Sequence, residues 1–234
     1  MAIVGLQKLT LLDYPGKVAC TVFLGGCNFR CPFCHNGGLL GCDVREVMSR
    51  EVLLEFLADR RGLLDGVCIT GGEPTLSPEL PGLLSNINEL GYAVKLDTNG
   101  SRPHVLRQLV EQGLVDYVAM DVKNDPAGYA ATTGLSAAPM EALEESLRFL
   151  MTGTVGYELR TTLVQELHDE ASLTRMGQWL YALNGKKKIP TIFLQPFVNR
   201  DTVLDQNLHT PETAQISHFV ELLYTFAEEV SVRG

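Results

Sequence analysis

No run of about 18 consecutive apolar residues occurs in the chain, which excludes a membrane-spanning helix of ordinary length. A secretory leader is missing in form as well. Met1 to Gly5 lead directly into Gln7 and Lys8, without an apolar stretch followed by a small-residue cleavage site. The expectation is a cytoplasmic protein with no membrane partner. Basic charge is scarce: 19 Lys and Arg stand against 28 Asp and Glu, a formal net charge of -9. That balance repels a phosphate backbone unless a local patch overrides it. The one dense basic run, Lys186-Lys187-Lys188, follows Asn184-Gly185 and precedes an apolar stretch, which is the pattern of a solvated turn. Nucleic acid is therefore not expected as a partner. Linkers, internal repeats and biased segments are also lacking, so 1–234 reads as a single domain with one substantial core.

What is present is alternation. Apolar runs at Lys17–Leu24, Gly66–Thr70, Tyr92–Asp97, Asp116–Val122, Tyr157–Val164 and Thr191–Gln195 read as strands. Helical patterns fall between and after them, at Glu51–Arg61, Ser77–Leu90, Pro103–Gln112, Met140–Met151, Ala171–Leu183 and Pro211–Glu228. A short strand at Val230–Val232 would close the series, and residues 1–16 form an N-terminal extension. Such β-α alternation predicts an α/β protein with a parallel sheet, either doubly wound or a partial barrel.

Of the six cysteines, three lie within Cys27-Asn28-Phe29-Arg30-Cys31-Pro32-Phe33-Cys34, on a loop of about 25–42 that follows the first expected strand. Cytosolic thiols stay reduced, so a cluster of them reads as a metal site rather than as disulfides. Soft thiolates suit zinc or an iron-sulfur cluster. The residues alone leave open a zinc site with His35 or Cys42 as fourth ligand, and also three unrelated thiols. A second feature is Thr70-Gly71-Gly72-Glu73-Pro74, at the next strand end. Adjacent glycines allow close backbone approach, and Glu73 offers acceptors to a cationic amino group. An ordinary strand-to-helix turn would use the same residues. Further on, Asp97-Thr98-Asn99-Gly100, Asp121-Val122-Lys123 and Arg160 sit at or near later strand ends, which gather on one face of a parallel barrel. Each also has a local explanation: a helix cap near Asp97, an Asp121–Lys123 pair, a surface charge at Arg160.

The C-x3-C-x2-C spacing with Phe33 before the third cysteine, together with Gly71-Gly72-Glu73-Pro74, resembles the radical S-adenosylmethionine superfamily. The opening Gly5-Leu6-Gln7-Lys8-Leu9-Thr10-Leu11-Leu12-Asp13-Tyr14-Pro15-Gly16-Lys17, with Cys34-His35-Asn36 and Asp121-Val122-Lys123, resembles its glycyl-radical enzyme activases, in particular those serving anaerobic ribonucleoside-triphosphate reductase. The resemblance runs from about Gly5 to Arg160. It implies a partial (β/α)6 TIM-like barrel and a [4Fe-4S] cluster on Cys27, Cys31 and Cys34 with one iron open to S-adenosylmethionine. One-electron cleavage of that cofactor to methionine and a 5'-deoxyadenosyl radical would follow, with no catalytic residue beyond cluster and cofactor. Phe33, Asn36, Gly71, Gly72, Glu73, Pro74, Asp97, Thr98, Asn99, Asp121, Lys123 and Arg160 are the implied cofactor contacts. The aspartates and threonine of that set would hold a monovalent cation.

The implied partners are a glycyl-radical enzyme, anaerobic ribonucleotide reductase first, and an electron donor such as flavodoxin or ferredoxin. No cysteine follows Cys68, which argues against a second cluster and against a cysteine-rich C-terminal domain. Related activases often carry a histidine shortly after the proline of the sixth strand; Gln195-Pro196-Phe197-Val198 has none, and the contact would come from elsewhere, such as Asn199. Two alternatives stand beside the activase. One is the same cofactor chemistry aimed at a small molecule or another peptide; the other is a non-enzymatic iron-sulfur or zinc-binding module.

Overall fold

The apolar runs build one eight-stranded sheet in the computed structural model, which describes residues 1–41 and 44–233. In chain order the strands are β1 (Ile3–Thr10), β2 (Ala19–Leu24), β3 (Gly66–Gly71), β4 (Ala93–Thr98), β5 (Tyr117–Asp121), β6 (Gly156–Leu163), β7 (Ile189–Pro196) and β8 (Ala227–Val232). The helices are α1 (Arg50–Asp59), α2 (Leu80–Glu89), α3 (Pro103–Glu111), α4 (Tyr129–Thr133), α5 (Met140–Leu150), α6 (Glu170–Leu183) and α7 (Thr213–Leu223). Strands β2 to β8 are parallel and neighbours in sequence are neighbours in the sheet.

That order decides between the two architectures the alternation left open. Every crossover advances the sheet by one strand in the same direction, so helices collect on one face and the sheet curls as a barrel wall; a doubly wound sheet reverses direction midway. Helical crossovers separate each successive pair from β2 to β8, which gives six β/α units and a seventh parallel strand. Among the described residues β1 and β8 share no ladder, so the barrel stays open.

The two faces of the wall differ. Val22, Val67, Val94, Val118, Leu159 and Ile192 lie on the helix side, all at most 1% exposed. On that side Thr161 Oγ1 also meets Met176 of α6. Each such aliphatic side chain contributes roughly 1.5 to 3 kcal/mol on burial, as an upper estimate. The register puts the other set inward. Cys68 pairs with Lys95, Lys95 with Tyr117, Asp97 with Ala119, Ala119 with Glu158, Asp121 with Arg160, and Thr162 with Gln195. The inner face is therefore polar and charged.

Three elements depart from the sequence expectation. The N-terminal extension contains β1, which pairs antiparallel with β2; its residues are mostly half-buried or exposed and Gly5 interrupts it, so no alternating pattern marks it. The expected helix Pro211–Glu228 ends at Leu223, because Phe226 turns back to pack where a side chain on Gly177 of α6 would stand, and β8 starts at Ala227. Helix α4 is too short to show a period, yet Thr133 O accepts from Arg30 N (2.9 Å) and so props the cysteine loop.

Candidate active site

The carboxyl ends of the parallel strands surround a cavity of about 240 Å³. Cys27, Cys31 and Cys34 line it from one side. Asp97, Thr98, Asn99, Asp121, Lys123 and Arg160 line it from the strand ends, with Phe33, Asn36 and Gly72 between. Gly71, Glu73 and Pro74 stand behind that wall. Thr70, Thr162 and Gln195 belong to it, though none of them is implied by the sequence as a cofactor contact. Being neutral, they carry no charge signal, but strand parity would have found them: Thr162 and Gln195 are register partners, and Thr70 lies two residues after Cys68 on the same face of its strand.

The cysteine loop is tied down through its backbone. Gly72 N donates to Leu24 O (2.8 Å), Glu73 N to Gly26 O (2.8 Å), Gly26 N to Leu39 O (2.7 Å) and Asp205 N to Pro32 O (2.9 Å). Side chains add to this: Asn36 Nδ2 donates to Gly71 O (2.9 Å), and Asn99 Nδ2 to Asn28 Oδ1 (2.9 Å). The glycine pair is a spatial requirement rather than a turn preference. A Cβ on Gly72 would lie 2.0 Å from Gly26 O, and one on Gly71, whose φ is +122°, would lie 2.3 Å from Leu24 O.

Glu73 is 2% exposed and fully engaged. Its oxygens accept from Thr75 N (3.1 Å), Thr98 Oγ1 (2.8 Å) and Asn99 N (2.6 Å), and from the Thr75 hydroxyl. It clamps the β3 loop to the β4 loop. Burial pushes its pKa up, against the pull of those donors.

The charged groups form a chain. Arg160 Nη1 reaches Asp97 Oδ2 (3.0 Å) and its Nη2 reaches Asp121 Oδ1 (2.9 Å), while Lys123 Nζ reaches Asp121 Oδ2 (2.8 Å). Burial alone would raise the Asp97 carboxyl, but Arg160 and Lys95 outweigh it and hold the group well below the usual carboxylate range. Asp121 is lowered in the same way, burial being overcome by Arg160 and Lys123. The Asp121–Lys123 pairing exists, as does a polar turn after Asp97, but Arg160 is a partly buried bridge rather than a surface charge.

Burial pushes the Cys31 thiol up to about 11, and Cys27 and Cys34 also rise, burial again leading. His35 Nε2 bonds Val198 O (2.7 Å) and its ring stacks on Phe197. Asn199 Nδ2 donates to Gln206 O (3.0 Å) and thus holds its own loop. Cys42 lies outside the described residues.

Residues 21–150 match the radical SAM superfamily. The chain belongs to that superfamily. A Methanocaldococcus jannaschii protein assigned as a glycyl-radical enzyme activating enzyme is 33% identical over 98% of this chain and 94% of its own length. That near full-length likeness puts this radical SAM enzyme with the activating enzymes. The pyruvate formate-lyase-activating enzyme of Clostridium pasteurianum is 31% identical over 55% of this chain and 56% of its own length. Among solved structures, Streptococcus suis SuiB bound to S-adenosylmethionine shares the fold, with a TM-score of 0.69 at 13% identity over 92% of this chain and 52% of SuiB. A domain of the pyruvate-formate lyase-activating enzyme of Bacteroides vulgatus gives 0.58 at 20% identity, over 72% of this chain and 99% of that domain.

Membership implies a [4Fe-4S] cluster and S-adenosylmethionine, and the donor set fits them. Three thiols from one fixed loop face one cavity, and among the described residues lining it there is no fourth thiol.

Proposed function

We propose that this chain is an activase that generates a glycyl radical on a partner protein, with anaerobic ribonucleoside-triphosphate reductase as that partner. The observation that carries the reading is the likeness to an activating enzyme over 98% of the chain. The three cysteines, which line one cavity with Asp97, Asp121, Lys123 and Arg160, supply the matching chemistry.

Cys27, Cys31 and Cys34 would hold the cluster as thiolates, each losing a proton that burial otherwise retains. Bound together, cluster and S-adenosylmethionine supply reductive cleavage of a carbon–sulfur bond and abstraction of hydrogen from a C–H bond. The electron would come from a flavodoxin or ferredoxin.

The protein's task is orientation. Arg160 and Lys123 offer positive charge to an incoming carboxylate. Asn36, Gly72, Thr98 and Asn99 present polar atoms and open backbone to the amino and ribose groups. Phe29 and Phe33, both buried, give the cavity an apolar side within the cysteine loop. Glu73 acts one layer back by fixing Asn99 and Thr98. The open seam between β1 and β8 suits a macromolecular substrate, because a glycine-bearing loop enters from the side more readily than through a closed barrel.

Anaerobic incubation of the reconstituted, reduced protein with S-adenosylmethionine and the reductase is expected to give a glycyl-radical signal in electron paramagnetic resonance. Cofactor cleavage with a silent partner would refute the assignment.

A further inference from the structure

The resemblance to activases implies a monovalent cation on Asp97, Thr98 and Asp121, and the residues present do not fit one. Asp97 Oδ1 is taken by Lys95 Nζ (2.6 Å) and Oδ2 by Arg160 (3.0 Å). Asp121 Oδ1 is taken by Arg160 (2.9 Å) and Oδ2 by Lys123 (2.8 Å). The Thr98 hydroxyl donates to Glu73 (2.8 Å) and accepts from Gly100 N (3.1 Å). A metal cation binds by surrounding itself with oxygen lone pairs. Here every candidate oxygen already faces a nitrogen donor or a hydrogen-bond partner.

Lys95 is the unusual member. It lies inside the barrel wall, 0% exposed, two residues before Asp97 on the same strand face, and meets Glu158 Oε1 at 3.7 Å on its other side. Glu158, itself 0% exposed, is held by Arg233 through Nη1 (2.9 Å) and Nη2 (3.3 Å). The connected set is Lys95, Lys123, Arg160 and Arg233 against Asp97, Asp121 and Glu158, four cations to three carboxylates. A further cation at Asp97 or Asp121 would stand directly beside the ammonium or guanidinium that already faces each of their oxygens.

We infer that Lys95 is the built-in cation of this site: its ammonium does the work of a monovalent metal ion by fixing Asp97 and, through Arg160, the groups that receive the cofactor's carboxylate. Lys95 touches no reacting atom and is a positioning residue. The inference rests on the proposed use of the cavity for S-adenosylmethionine, though not on the identity of the protein partner.

Equilibrium dialysis of labelled S-adenosylmethionine against the reconstituted protein tests it, in potassium, sodium or choline chloride at equal ionic strength. The wild-type dissociation constant is expected to be the same in all three. Lys95→Met is expected to weaken binding by about tenfold or more in choline, since it strands a buried carboxylate, and to recover in potassium or sodium as an ion enters the vacated space. A merely structural lysine would show no such rescue. A wild-type protein whose affinity collapses in choline overturns the inference, as does K95M with wild-type affinity in every salt. Should K95M fail to fold by circular dichroism, the wild-type comparison decides alone: indifference supports the inference and dependence overturns it. Loss of glycyl-radical formation with salt-indifferent binding intact would count against the activase assignment only.

Discussion

Gly72→Ala tests the claim that the glycine pair exists for backbone proximity. The added Cβ would sit 2.0 Å from Gly26 O and 2.6 Å from Gly26 C, both main-chain atoms that cannot rotate away. Reaching an acceptable separation requires the two loops to part by about 1 Å, in an interior packed too densely to absorb it. Parting them breaks or lengthens the bonds from Gly72 N to Leu24 O and from Glu73 N to Gly26 O, both 2.8 Å. At about 1 kcal/mol each, the loss is about 2 kcal/mol, or roughly 4 to 8 °C in melting temperature for a chain of this size. Cys27 follows Gly26 directly, so its thiol moves with the strained peptide, and a misplacement of about 1 Å at a reactive centre costs up to about a hundredfold in rate. The assay is thermal melting of the apoprotein, followed by anaerobic reconstitution with iron and sulfide counted per chain. Gly38→Ala is the control, because nothing stands within 4 Å of its Cβ. Equal behaviour of the two variants would refute the proximity argument.

Three further outcomes follow from the same structure. Glu158→Gln removes the charge that Lys95 and Arg233 share, and urea unfolding should show a loss of about 3 kcal/mol; a loss below about 1 kcal/mol would mean that the interior pairs are not coupled. His168 is buried, accepts from Val164 N (3.1 Å) and bonds Lys123 O (2.9 Å), and burial lowers its pKa from the usual 6.5. The unfolded chain therefore binds the extra proton first, so the stability it confers is full above about pH 6.5 and declines as pH falls through the folded value. His168→Gln should flatten the difference between urea midpoints at pH 7.5 and 5.5, other titrating groups cancelling in the comparison with wild type. Cys31→Ala should abolish iron retention, whereas Cys20→Ala, at a buried position within β2 and away from the cavity lining, should keep it; iron and sulfide analysis separates them.

The cysteine triad was legible because its ligands are close in sequence and one loop brings them together. Asp97, Asp121 and Arg160 were legible for a different reason: parallel strands share a direction, so strand ends meet, and the register makes Asp121 and Arg160 direct neighbours. The disposition of Glu73 was not legible, because its partners Thr98 and Asn99 lie 25 and 26 residues away and reach it only when β3 and β4 are adjacent. Lys95 and Glu158 raised no signal at all. Each sits in a strand where a lone charge reads as solvent-facing, and only closure of the wall turns that face inward. Strand β1 escaped for the opposite reason: as an edge strand whose residues are mostly half-buried or exposed, it never has to alternate.

The polar inner wall carries a consequence for how this fold is held together. Buried ion pairs return little net stability, because desolvation consumes most of their attraction, and well-packed apolar side chains in the same space often do as well or better. The aliphatic helix-facing side of the sheet already supplies the burial that folding requires. The line of charges from Arg233 through Glu158, Lys95, Asp97 and Arg160 to Asp121 and Lys123 is therefore poorly explained as a stabilising device. It is better explained as a device for orientation. Each member fixes the rotamer of the next, and the line ends at the groups that line the cavity. Stability and chemistry are thus divided between the two faces of one sheet, so inner-wall substitutions that preserve charge and shape should change cofactor binding more than they change melting temperature.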